Sequence, residues 1–207
     1  MAIPAMGQGL HGIREETPHN LWLDAGVLYY NIDVSALRGA GPGQLAAAIA
    51  AGTKLGATRG GASFNMNKKM RSMPVDGKRS DISGMMRIEM YEPTLTVHLL
   101  EVSQANIEKS MAPMDTTAYT AYDEITPSIN IQPGDYFSNV SLITAISGKA
   151  NPVVLVLSNC IAKENSEIKV SDNDEMVFEV KFVACASLDA PHVIPVSIFY
   201  PQDAAAS

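Results

Sequence analysis

Only two cysteines, Cys160 and Cys185, occur in the chain. Two are too few for a disulfide framework, and no Cys-x-x-Cys spacing is present for a metal or redox site. Both sit in apolar, strand-like context and read as small core residues, so nothing demands an oxidising compartment. Tryptophan is down to a single residue, Trp22, and aromatics make up 6% of the chain. Basic residues are outnumbered fifteen to twenty-two, leaving a net charge of -7, whereas a general nucleic-acid binder carries the opposite excess. The longest apolar run, Leu45 to Ala51, is seven residues. Crossing a bilayer takes about 20, so no membrane insertion is expected. Met1 to Gly7 has no basic segment followed by an apolar core; no secretory signal is read there, and folding in a cytoplasm is expected.

Catalytic and cofactor constellations are equally scarce. The four histidines, His11, His19, His98 and His192, stand in separate contexts without metal-ligand spacing. Neither Gly39-Ala40-Gly41-Pro42-Gly43 nor Gly56-Ala57-Thr58-Arg59-Gly60-Gly61 carries a Walker lysine or a G-x-G-x-x-G pattern. Glycines entering a strand mark a bulge or a close backbone approach instead. Asp123 and Glu124 are adjacent, so on a strand they point to opposite sides rather than converging as paired acids. No catalytic residue, cofactor or metal is expected, and the chain reads as a building block rather than an enzyme.

What is present is strand patterning. A hydrophobic share of 46% against 18% charged residues is that of an ordinary globular protein. In Val27 to Val34 the set Leu28, Tyr30, Ile32 and Val34 forms one apolar side. Ala62, Phe64 and Met66 alternate with Ser63, Asn65 and Asn67, and Met86, Ile88 and Met90 share a face. Leu95, Val97 and Leu99 turn inward, with Thr94, Thr96 and His98 outward. Pro93 separates two strands, Ile82 to Tyr91 and Thr94 to Val102. Tyr136 to Ser147 and Pro152 to Ser158 flank a short Gly148-Lys149-Ala150-Asn151 connection. The continuous run Val153-Val154-Leu155-Val156-Leu157 implies burial on both faces, either between the core and a neighbouring copy or as a central strand of the sandwich. Met176 to Ser187 is the last long strand, and Val193 to Tyr200 pairs as an edge. Short helices are expected over Gln44 to Ala51 and, capped by Ser103, over Gln104 to Met111.

The fold class is therefore mainly β: an antiparallel β-sandwich or barrel with one or two short flanking α-helices, a long inter-strand loop and extended terminal arms. A single domain spans 1–207, with an N-terminal arm at 1–25, a core at 26–187 holding the long loop 67–81, and a C-terminal tail at 188–207. The stretch Lys68 to Arg79 concentrates five of the fifteen basic residues around a Pro74-Val75-Asp76-Gly77 turn signal. The opposite bias follows: from Ser110 to Gly148 there is no lysine or arginine, while Asp115, Asp123, Glu124 and Asp135 are present.

Three pieces in order carry a family resemblance: Ala50-Ala51-Gly52-Thr53-Lys54-Leu55-Gly56-Ala57-Thr58-Arg59-Gly60-Gly61-Ala62-Ser63-Phe64, then Val75-Asp76-Gly77-Lys78, then Leu95-Thr96-Val97-His98-Leu99-Leu100-Glu101. Together they resemble the tail tube proteins (major tail proteins) of long-tailed bacteriophages and related phage-tail-like particles, over roughly Asp24 to Ile107. The resemblance implies a structural virion protein whose homohexameric rings stack around a tape-measure protein into the tail tube, the conduit for DNA delivery. It implies assembly in the bacterial host cytoplasm and contact with sheath, baseplate and terminator proteins. DNA would pass through the lumen without specific binding. Contacts between subunits or rings are then expected from Arg59, Lys68, Lys69, Arg71, Asp76, Lys78 and Arg79. Lumen-lining positions are expected at Ser63, Asn65, Asn67, Thr94 and Thr96. Other expectations left open are a terminator, a sheath-associated protein, a β-sandwich adhesin, or the tube of a bacteriocin or gene-transfer particle.

Overall fold

Apolar alternation along the chain is realised as antiparallel strands. The computed structural model describes residue 14 and residues 17–39, 43–101, 103–163, 168–169, 172 and 175–202. In chain order the elements are β1 (Trp22–Tyr30), α1 (Val34–Leu37), α2 (Gln44–Ala50), β2 (Thr53–Lys54), β3 (Thr58–Ser72), β4 (Met86–Leu99), α3 (Gln104–Ser110), β5 (Met114–Ala118), β6 (Asp123–Pro127), β7 (Phe137–Ile146), β8 (Val153–Ala162), β9 (Ile168–Lys169), β10 (Val177–Ala184) and β11 (Val196–Phe199). The main sheet runs β2-β1-β7-β8-β10-β4-β3, with β11 added to β8 and β9 to β10; β5 and β6 form a separate two-stranded sheet.

The sheet forks at β8. Its first half pairs with β11 and its last three residues with β10. The switch falls at Asn159, whose φ of 50° is left-handed and which exchanges hydrogen bonds with the backbone of Cys185. Because β10 and β11 then diverge, the inner faces fold over one another as a β-sandwich. Leu28, Leu95, Val97, Leu99, Val140, Leu157, Phe178 and Val180 fill the space between them. Phe137 is wedged between Tyr30 and Phe182, with ring centroids 5.2 and 5.5 Å away in edge-on geometry, the arrangement that aromatic quadrupoles prefer.

A second apolar layer explains the continuous run in β8. Leu155 and Leu157 face the main core, whereas Val154 and Val156 lie with Ile32 and Ile143 under Val34, Leu37, Leu45 and Ile49 of the two short helices. The cover on this face is thus a helix pair of the same chain; no neighbouring copy is needed.

These layers are pinned by one buried side chain. Asn139 on β7 accepts from the Ile32 N–H at 3.1 Å and donates to the Ile32 carbonyl at 2.8 Å. Asn139→Leu removes both bonds and leaves the Ile32 backbone groups unpaired. An orphaned buried polar group costs about 1–3 kcal/mol, so a loss of roughly 2–4 kcal/mol is expected by chemical denaturation, far more than for a substitution at exposed Ser138.

Several boundaries differ from the sequence expectation. The first strand ends at Tyr30 rather than Val34, because Asn31 turns left-handed and Asp33 caps α1 through the Ser35 and Ala36 N–H groups. It also begins earlier, so Trp22 and Leu23 pair with Ile146 and Ala145 inside the span expected as an N-terminal arm; positions 1–13 and 15–16 of that arm lie outside the described residues. Pro93 does not separate two strands. It sits within β4 opposite Met66, just beyond the last pairing with β10 at Thr94, where no partner strand requires its N–H. The long loop expected over 67–81 is strand as far as Ser72. The Thr- and Tyr-rich segment after α3 forms the β5–β6 hairpin. Within the expected C-terminal tail, β11 is an integral strand.

Candidate functional site: a projecting ribbon

Among the described residues, β4 beyond Thr94 has only β3 as a partner. Met86 to Pro93 and Met66 to Ser72 therefore run on as a two-stranded ribbon, joined by a loop from Met73 to Met85. Eight residues of strand extend ~25 Å at about 3.3 Å per residue. A β-turn closes the tip: Lys78 N–H donates to the Val75 carbonyl, and Gly77 takes the φ of 81° that glycine tolerates best. The main sheet holds the ribbon at its base, and most of the ribbon's residues are exposed.

Its two faces differ. Register pairs Met70 with Ile88 and Ser72 with Met86, giving one face rich in exposed apolar side chains, with Met86 at 43% and Ile88 at 48% exposure. The other face carries Lys69, Arg71, Arg87 and Glu89. A bulge between Lys69 and Met70 sets Glu89 opposite both neighbouring cations, 3.5 Å from Lys69 and 3.1 Å from Arg71. Surface pairs of this kind are worth roughly 0–1 kcal/mol, so they orient the ribbon without holding it. Six basic residues stand against three acidic ones between Lys68 and Glu89, in a chain whose net charge is -7. At the tip, Lys78 bonds Ser72 and, at 2.8 Å, Asp81; the Lys78 hydrogen bond holds the Asp81 carboxyl below its ordinary range.

The structure brings Lys68, Lys69 and Arg71 together on the ribbon strand, and Asp76, Lys78 and Arg79 at its tip. Arg59 is elsewhere. It lies at the far end of β3, in the bulge formed with Gly60 and Gly61, and pairs with Glu175 at 3.2 Å. Ser63, Asn65 and Asn67 lie exposed on the outer face of β3, and Thr96 is half-buried beside them. Thr94 departs from the expected exposure: flanked in register by Asn65 and Val183, it is only 4% exposed. On this face Lys163 pairs with Glu92, and His98 Nε2 lies 3.7 Å from a Glu179 carboxylate oxygen.

Both cysteines are free. Burial pushes the Cys160 thiol up to about 12 and raises Cys185 as well, so neither is poised as a thiolate nucleophile. A groove of about 950 Å³ beside α2 and β11 is lined by residues such as Leu37, Leu45, Val154, Phe199 and Gln202, and among the described residues its lining has no carboxylate, histidine or cysteine. Among the described residues no group of three or more His, Cys, Asp or Glu could hold a metal ion, and no helix is long and apolar enough to cross a membrane.

Sequence reasoning missed Arg87 and Glu89 as part of the charged face, and the acidic β5–β6 hairpin as a projection. The threonines in Met114–Ala118 were the available signal for the latter, since β-branched residues favour strands.

No family model and no curated protein matches the sequence. Among solved structures, the chain is similar to one described as the virion of a native gene transfer agent particle, at 7% identity and a TM-score of 0.43, covering 86% of this chain and 98% of that one. It is also similar to a chain of the tail of an empty gene transfer agent particle, solved with C6 symmetry, at 9% identity and a TM-score of 0.35, covering 85% and 96%.

Proposed function

We propose that this chain is a structural tail protein whose copies close into hexameric rings and stack into a tube that conducts DNA. The observation that carries the reading is the ribbon: a charged and apolar projection that, among the described residues, has no third strand and extends from a subunit bearing no catalytic set. It supplies contacts between copies through Lys68, Lys69, Arg71, Asp76, Lys78 and Arg79, while Arg59 braces the base of β3. The three sequence pieces that resemble tail tube proteins coincide with β2–β3, the ribbon tip and the inner half of β4.

Physical demands of a conduit agree with the remaining surface. A wall that grips phosphates would stall its cargo, and phosphate contacts dominate such affinity. The outer face of β3 offers Ser63, Asn65 and Asn67, with Thr96 alongside and Lys163 already paired with Glu92 within the subunit. Free edges at β3 on one side and β2 on the other, hazards in an isolated sheet, would be covered on ring closure. A tape-measure protein would occupy the lumen during assembly in the host cytoplasm. Sheath, baseplate and terminator proteins would meet the outside and ends of the tube in the virion.

Negative-stain electron microscopy of concentrated protein tests this. Hollow rods of stacked rings are expected; compact monomers at every concentration would overturn it.

A further inference from the structure

The β5–β6 hairpin is a second projection with its own unexplained surface. Among the described residues it pairs with no other strand, and register divides its faces. Met114, Thr116 and Ile125 share the side that contacts α3, where the Thr116 hydroxyl donates to Glu108 at 2.7 Å. Asp115, Thr117, Glu124 and Thr126 share the outward side, exposed throughout. The Tyr119 hydroxyl donates to Glu124 at 3.1 Å, and no lysine or arginine lies between Ser110 and Gly148. Large apolar side chains flank this acidic face, with Tyr122 at 83% and Ile129 at 97% exposure. Exposed apolar groups beside unpaired like charges mark an interaction surface rather than a solvated loop.

Resting on the self-assembly proposed above, we infer that this acidic hairpin receives the basic ribbon of a second copy of the chain. Complementarity is twofold. The hairpin offers carboxylates and exposed aromatic and aliphatic side chains, whereas the ribbon offers an excess of cations and a methionine-rich face able to adapt to them. Topology places the two correctly for repetition. β4 starts in the ribbon at Met86, enters the body at Thr94 and leaves it at Leu99 towards α3, which Asn106 ties to the carbonyls of Leu55 and Glu101. Ribbon and hairpin therefore depart from opposite ends of one strand. A head-to-tail contact of this kind joins unlike surfaces and propagates from copy to copy.

The test uses two full-length variants. One reverses the ribbon (Lys68→Glu, Lys69→Glu, Arg71→Glu) and the other reverses the hairpin (Asp115→Lys, Glu124→Lys). Because like charges across an interface cost several kcal/mol, rod yield from each alone should fall on the order of tenfold or more. Mixed in equal amounts, the two should form rods again, since each ribbon then meets a hairpin of opposite sign. Hairpin-reversed protein that polymerises like wild type overturns the inference while leaving the ribbon's role intact. Ribbon-reversed protein that polymerises normally overturns the underlying assembly reading instead. Failure of the mixture, with both variants folded by near-UV circular dichroism, would also overturn the pairing. The neutral variant Asp115→Asn/Glu124→Gln guards against a folding defect: it should fold and show intermediate yield.

Discussion

Replacing Lys68, Lys69 and Arg71 together by glutamate is expected to leave a folded subunit that no longer polymerises. The three side chains stand on the ribbon, outside the core, and among the described residues their only ion pairs are the exposed contacts of Lys69 and Arg71 with Glu89. Loss of such pairs costs roughly 0–1 kcal/mol each, and the new carboxylates repel Glu89 by a similar amount. The melting point should therefore move by only a few degrees. Between copies the effect is much larger. The ribbon changes from a basic to an acidic projection in a chain that is already acidic, so encounter and stacking are both opposed. Sedimentation velocity should show monomers or isolated rings where wild type sediments as polymer. Rods of normal length and yield would remove the ribbon from the assembly account.

Phe182→Ala is expected to have the largest effect on stability. Phe182 is 1% exposed, sits on β10 at the centre of the sheet, and meets Phe137 edge-on at 5.5 Å. Truncating a buried phenylalanine costs about 3–5 kcal/mol through lost transfer energy and the cavity left behind. At about 2–4 °C per kcal/mol for a chain of this size, the melting point should fall by roughly 10 °C. Met70→Ala on the ribbon should change stability by about 1 kcal/mol or less, because its side chain stands outside the core and is 41% exposed. Differential scanning calorimetry of both variants separates core from projection. A Phe182→Ala protein that melts with wild type would mean the aromatic cluster is not the centre of the core.

The core was legible because period-two patterning survives wherever one face is buried. Phe178, Val180 and Phe182 on β10, and Leu95, Val97 and Leu99 on β4, occupy the inward positions that their alternation implies. The glycine entry to β3 was legible as a bulge for the same reason that it failed as a nucleotide loop: Gly60 and Gly61 take positive φ inside a strand. The ribbon's extent was not legible. Lys68, Lys69 and Arg71 look like loop because the β3 half of the ribbon, from Asn67 to Ser72, has one apolar residue, Met70, and so no hydrophobic period, unlike its β4 half with Met86, Ile88 and Met90. Pro93 reinforced the error, since the freedom that admits a proline there comes from the absence of β10 alongside it, a tertiary fact. The cover over Val154 and Val156 was also tertiary: continuous apolar residues announce two buried faces but not which element lies on the second.

The measurement that bears most directly on the central claim is a three-dimensional electron-microscopy map of the rods at a resolution that traces the backbone. The account predicts a lumen along the rod axis, with the ribbon of Met66 to Pro93 crossing from its own ring to a neighbouring one. A map in which the ribbon folds back against its own subunit, and rings meet through other surfaces, would contradict it.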